Sequence, residues 1–145
     1  MSQENVGRVR AAYEAINQGD LGPALALMAP DIEWIEPDGA PGVGGLTPGS
    51  GVFRGREAVV DGVFMPCSGP LWADFRVEPD DILDAGDHVV VLGHLRATVP
   101  GSGRPAQTPF AHVWRLRGET CDRWRCYEDT HVLHNARASW NIGRT

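Results

Sequence analysis

The chain has no lysine. All of its 13 basic residues are arginine, set against 19 acidic residues in a length of 145, for a net charge of −6. Without a side-chain amine there is no Schiff-base or pyridoxal phosphate chemistry, and no phosphate-cradling lysine of a P-loop. Cysteine is also scarce: Cys67, Cys121 and Cys126 are odd in number and widely spaced, which fits a reducing compartment rather than a disulfide framework. Long apolar runs are missing, none approaching the roughly 18 residues that span a bilayer. Met1-Ser2-Gln3-Glu4 has neither the basic nor the apolar region of a signal peptide. A cytoplasmic, soluble protein is expected.

Net negative charge without a basic tract excludes nucleic acid and anionic membrane surfaces as partners. The charge is uneven, however, since residues 101–145 hold seven arginines against four acids. Gly42-x-Gly44 and Gly49-x-Gly51 lack the third glycine and the following βαβ unit of a dinucleotide fingerprint. No Gly-x-Ser-x-Gly elbow is present. The expectation is an absence of organic cofactors.

What is present reads as one domain over residues 1–145, with 42% hydrophobic residues to build a core. Val6, Val9, Tyr13 and Ile16 recur at helical spacing, between an N-cap at Ser2 and a stop at Gly19. Asp20 caps a second, shorter helix expected to end at Pro30. A short strand is expected over 31–36, then a Gly/Pro-rich loop over 37–51 and a third helix over 56–65. From about residue 74 the period changes to two. One hairpin turns at Asp84-Ala85-Gly86-Asp87, and a second turns at Gly118-Glu119. Helices followed by hairpin-connected strands imply an α+β fold with a largely antiparallel sheet.

Several residues are candidates for chemistry. His131 and His134 are three apart near Cys126. Cys121 and Cys126 are five apart, which on a regular strand sends them to opposite faces, so no metal site is expected. Arg125, Tyr127 and Asp129 share one face of the last strand, and Phe110, His112, Trp114 and Leu116 one face of the strand before it. Whether the two sets meet depends on loop parity. An even loop at Gly118-Glu119 brings His112 and Asp129 to one side, as an acid and an imidazole on an apolar wall suited to proton transfer. Otherwise Asp129 pairs with Arg123 or Arg125, and His112 is a core histidine.

Tyr13-Glu14-Ala15-Ile16-Asn17-Gln18-Gly19-Asp20, Asp31-Ile32-Glu33-Trp34, Phe53-Arg54-Gly55-Arg56-Glu57-Ala58, Phe110 to Leu116 and Arg123 to Asp129, in that order, resemble the SnoaL-like polyketide cyclase family of the nuclear transport factor 2-like superfamily. The resemblance implies a cone-shaped sheet wrapped around N-terminal helices, one deep apolar pocket, and a homodimer. It also implies that His112 and Asp129 line the pocket, with Asp129 as general acid/base and His112 polarising the substrate, and with no metal or organic cofactor. Tyr13, Trp34, Phe64, His94, Phe110, Trp114 and Tyr127 are the expected walls for a small hydrophobic carbonyl substrate, in a lyase or isomerase reaction. The loop over 37–51 is longer than the family pattern, and the isomerases' tyrosine and protonated aspartate have no match here. Two other readings stay open. One is a non-catalytic ligand-binding or dimerisation module, and the other an epoxide-opening enzyme in which Arg125 and Asp129 supply part of an arginine-and-two-acids set.

Overall fold

A computed structural model describes residues 2–44 and 49–142. The chain runs α1 (Ser2–Asn17), α2 (Gly22–Leu27), β1 (Met28–Ile35), β2 (Val52–Arg54), α3 (Arg56–Val59), a π-helical turn (Val60–Phe64), α4 (Met65–Cys67), β3 (Ala73–Ala85), β4 (His88–Thr98), β5 (Pro105–Arg117), β6 (Thr120–Glu128) and α5 (Thr130–Ile142). One curved, unclosed six-stranded sheet in the order β2-β1-β6-β5-β4-β3 packs its concave face against the helices. All neighbours are antiparallel except β1 with β6.

The α1 face of Val6, Val9, Ala12 and Tyr13 is buried, as the helical spacing requires. At its end, the Asn17 side chain donates to the Val77 carbonyl and accepts from the Val77 amide, which ties the helix to β3. The Ser2 side chain, the expected cap, lies outside the described residues. The second helix stops at Leu27 rather than Pro30, because the chain turns extended at Met28. Pro30 then sits in the stretch where the β1–β6 register shifts, where a missing N–H costs least. The short β2 and the whole of α5 were not anticipated. The part of the 37–51 loop at 45–48 lies outside the described residues.

Three tryptophans hold the middle of the sheet. Trp34 of β1 lies beside Trp124 of β6, which lies beside Trp114 of β5. Trp34 and Trp124 stack with centroids 3.6 Å apart, while Trp114 meets both edge-on. Aromatic pairs of this kind add about 0.5–1.5 kcal/mol each beyond simple burial.

One residue sets which side of β6 faces this core. At the turn, Arg117 pairs with Thr120 and Leu116 with Cys121, as an even loop demands. The next pair is Arg115 with Arg123, which leaves Asp122 with no opposite number. Such a bulge shifts the alternation by one position. Asp122 is held in it by Arg115 Nε at 2.8 Å and Arg117 Nε at 2.6 Å, and these guanidiniums keep its carboxyl below the usual range. Cys121 and Cys126 therefore both face inward, contrary to the expectation from their spacing. His112 stands opposite Cys126, and Arg125, Tyr127 and Asp129 are exposed. Tyr127 and Asp129 thus do not belong to the inner wall.

Deleting Asp122 removes the extra residue and leaves Leu116–Cys121, Arg115–Arg123 and Trp114–Trp124 as consecutive pairs with Trp124 still inside, so the shortened chain is expected to keep cooperative thermal unfolding by circular dichroism. Asp122→Ala keeps the bulge and loses only partly exposed ion pairs, so it is expected to fold with a loss of about 1 kcal/mol. A deletion variant that loses cooperative unfolding contradicts this role.

Candidate functional site

An internal cavity of about 80 Å³ lies between α1, the π-helical turn and the concave sheet face. Its walls are mostly apolar and aromatic, including Tyr13, Trp34, Phe64, Trp114 and Trp124, with His112 among its polar groups and Glu36 and Glu128 as the groups able to exchange protons near neutrality. A larger outer hollow of about 450 Å³ shares Ile16, Phe64, Cys67 and Phe75 with it. Those four side chains form the partition between the outside and the inner cavity. Phe64 closes the π-helical turn, a feature that often marks functional sites.

Glu36 follows β1 directly, on the face that already carries Ile32 and Trp34. The Trp34 indole N–H donates to Glu36 Oε2 at 2.7 Å, and the Glu36 amide donates to the Gly51 carbonyl at 2.8 Å. A Cβ at Gly51 would stand 2.6 Å from the Glu36 carbonyl oxygen, so glycine is needed for this close approach. Glu128 ends β6 on the face of Trp124 and Cys126, one step beyond the Cys126–His112 pair. One carboxylate oxygen from each glutamate and the Cys126 sulfur all lie within 4.8 Å of one another.

Two carboxyl groups held this close in an apolar cavity cannot both ionise cheaply. Burial, together with the neighbouring Glu128, pushes Glu36 up to about 8, against the pull of the Trp34 hydrogen bond. Burial pushes Glu128 up to about 7. The pair therefore carries a proton near neutral pH. Glu36, Cys126 and Glu128 are also a donor set that a metal ion could use. Burial and both acids raise the Cys126 thiol well above its usual range, so the cluster retains protons where a metal would need them gone.

The second polar feature is a hydrogen-bonded chain. Trp114 Nε1–H donates to the Tyr13 oxygen at 2.9 Å, and the Tyr13 hydroxyl lies 2.6 Å from His112 Nδ1. Burial depresses His112 to about 3, so the imidazole is neutral and Nδ1 accepts from the tyrosine. Its proton then sits on Nε2, which has no hydrogen-bond partner among the described residues. Phe110 stacks on the His112 ring with centroids 3.9 Å apart. The Phe110 ring has room there because its partner across the sheet is Gly93, where a Cβ would come within 2.8 Å of it.

Of the residues expected at the site, Tyr13, Trp34, Phe64, His112 and Trp114 line the cavity. Phe110 is buried behind His112. His94 is on the outer face, 2.7 Å from Asp80, and Tyr127 is 51% exposed. Asp129 is exposed too, with Oδ1 accepting the Val132 amide at 3.2 Å as the N-cap of α5. The expectation that Asp129 faces the cavity is corrected: the bulge at Asp122 puts Glu128 there instead. Arg125 lies outside with its guanidinium over the Tyr127 ring, so an arginine-and-two-acids set around one water is not assembled. The other arginines of the last hairpin are also outside, Arg115 and Arg117 on Asp122 and Arg123 on Glu33. Glu36 and Glu128 were missed, although alternation alone signals both: Ile32-x-Trp34-x-Glu36 and Trp124-x-Cys126-x-Glu128 each carry an acid on an otherwise apolar face.

No curated protein matches the sequence. Among solved structures, an NTF2-like protein from Burkholderia thailandensis E264 is 28% identical with a TM-score of 0.80, covering 91% of this chain and 95% of that one. An NTF2-like protein of unknown function from Burkholderia pseudomallei K96243 is 32% identical with a TM-score of 0.79, over the same shares of the two chains. TerC, co-crystallised with polyporic acid, is 26% identical with a TM-score of 0.75, covering 91% of this chain and 96% of that one. The family model for the SnoaL-like domain matches residues 9–124. With a matching family model over most of its length and a curved, unclosed sheet packed on its helices around an aromatic-lined cavity, the chain belongs to the SnoaL-like domain family.

Proposed function

We propose that this protein is an acid/base catalyst that moves a proton next to the carbonyl of a small hydrophobic compound, as a lyase or isomerase. The observation that carries this reading is the Glu36–Glu128 pair at one part of an apolar cavity that also presents the His112 Nε2–H. A pair sharing one proton offers a base and an acid together. The ionised carboxylate removes a proton from the carbon beside the carbonyl, and the His112 Nε2–H receives the oxygen as it becomes an enolate. The protonated partner then returns a proton at the same or another carbon. Neutral His112 suits the role of hydrogen-bond donor, since its second nitrogen is occupied by Tyr13. That TerC was crystallised with polyporic acid supports an organic ligand for this chain as well. Asp129 has no part in this mechanism.

The test is deuterium uptake into cyclopentanone, followed by NMR in heavy water. The rate is expected to exceed that of buffer and to pass through a maximum near the two carboxyl values of about 7 and about 8, because only the singly protonated pair is competent. Glu36→Gln and Glu128→Gln are each expected to lower it by about a hundredfold. Asp129→Asn, which keeps a capping side chain, is expected to leave it unchanged. Uptake that survives either glutamine, or that disappears with Asp129, contradicts the assignment.

Tyr13 is a positioning residue in this scheme. In Tyr13→Phe the His112 Nδ1 loses its donor, so nitrogen NMR is expected to show the Nδ1–H tautomer gaining population and the exchange rate falling by about tenfold. An unchanged tautomer rules out the positioning role.

A further inference from the structure

The inner cavity has two carboxyl groups and, among the described residues, no cation to answer them. The described arginines are engaged or exposed elsewhere. Arg54 and Arg123 reach Glu33, Arg76 and Arg96 reach Glu78, Arg115 and Arg117 reach Asp122, and Arg56 bonds to the Met28 carbonyl. None of them lines the cavity. The other titratable groups that face the pair are Cys126 on β6, Cys67 on α4, His112 on β5 and Tyr13 on α1, and burial keeps all four uncharged near neutral pH. The rest of the wall is part aromatic, with Trp34, Phe64, Phe75, Trp114 and Trp124, and part aliphatic, with residues such as Val63, Val77 and Leu95.

An anionic ligand would meet like charge in this cavity once the pair ionises, and a purely apolar one would leave that charge without a countercharge. A cation answers both difficulties: it supplies the missing countercharge in a low-dielectric site and is attracted to aromatic rings. We propose that the cavity takes a ligand bearing a quaternary ammonium or basic nitrogen, seated between the Glu36 and Glu128 carboxyls and the aromatic wall. This rests on the Glu36–Glu128 site of the preceding reading and narrows its substrate to a carbonyl compound that also carries such a nitrogen. Only a small cationic head fits the inner cavity of about 80 Å³, and the outer hollow beyond Phe64 and Phe75 takes the remainder of the molecule. Below neutral pH the free pair holds two protons, and seating a permanent cation releases one and leaves the singly protonated pair that the reaction needs. Affinity for the cation therefore rises with pH through the range in which the pair ionises.

The experiment compares choline with dimethylbutanol, its uncharged carbon isostere, by isothermal titration of the full chain. Choline is expected to bind at least about tenfold tighter at about pH 9 than at about pH 6, with proton release that is largest near neutrality, while dimethylbutanol binds more weakly and without pH dependence. Glu128→Gln is expected to flatten the choline profile and leave dimethylbutanol binding intact, which also shows that the variant is folded. Equal affinity for the two probes at high pH, a choline affinity independent of pH, or no saturable binding of choline overturns the proposal. Choline binding of the expected kind without deuterium uptake into a ketone leaves the ligand class standing and removes the catalytic reading. Uptake with no preference for choline does the reverse.

Discussion

The extra residue at Asp122 decides what this protein can be. A strand leaving a two-residue turn would keep Arg125, Tyr127 and Asp129 on the side of His112. With one residue bulged out, Trp124, Cys126 and Glu128 take that side. The energetic preference is large, because the alternative buries a guanidinium in the tryptophan layer and exposes Trp124 to water. Asp122 itself is made tolerable by the two arginines that grip it. The arginine-rich hairpin, which gives the C-terminal third its positive charge, therefore has a structural use: its guanidiniums hold the bulge and the outer sheet face and stay out of the cavity.

Keeping cations out of the cavity gives the interior its chemistry. Glu36 and Glu128 come from strands that are neighbours in the sheet and distant in sequence, and among the described residues no cationic side chain lines their cavity. Their proton is retained by desolvation and by each other, the condition under which a carboxyl group works as an acid at neutral pH. His112 is governed by the same desolvation in the opposite direction, since burial disfavours an imidazolium as it disfavours a carboxylate. One apolar environment thus yields a protonated acid and a neutral imidazole. The Trp114–Tyr13–His112 chain fixes which nitrogen carries the proton.

Much of the architecture was legible in the residues. The α1 spacing, both hairpin turns and the inward set Phe110, His112, Trp114 and Leu116 follow from periodicity, and the ordered motifs point to the family. The candidate acid is misplaced because the resemblance put Asp129 on the side of His112, which an even turn allows only for a strand without an irregularity. The sequence held a corrective, since Trp124 and Cys126 are better core residues than Arg125 and Tyr127 and put Glu128 inside. Glu36 was hidden for a different reason. Read as the end of a short strand before a Gly/Pro-rich loop it looks exposed, and only the return of the chain through Gly51 buries it. Helix α5 is hard to read from the residues because its cap, Asp129, also continues the alternating pattern of β6.

The account depends on the Glu36–Glu128 pair keeping a proton in the folded protein near neutral pH. Carbon NMR of the glutamate side-chain carboxyls, followed over a pH titration, measures this directly. Two resonances are expected to titrate far above the ordinary value of about 4.5, near about 7 and about 8, and Glu128→Gln is expected to bring the Glu36 resonance downward as its charged neighbour is removed. Finding both carboxyls fully ionised by about pH 6 would contradict it.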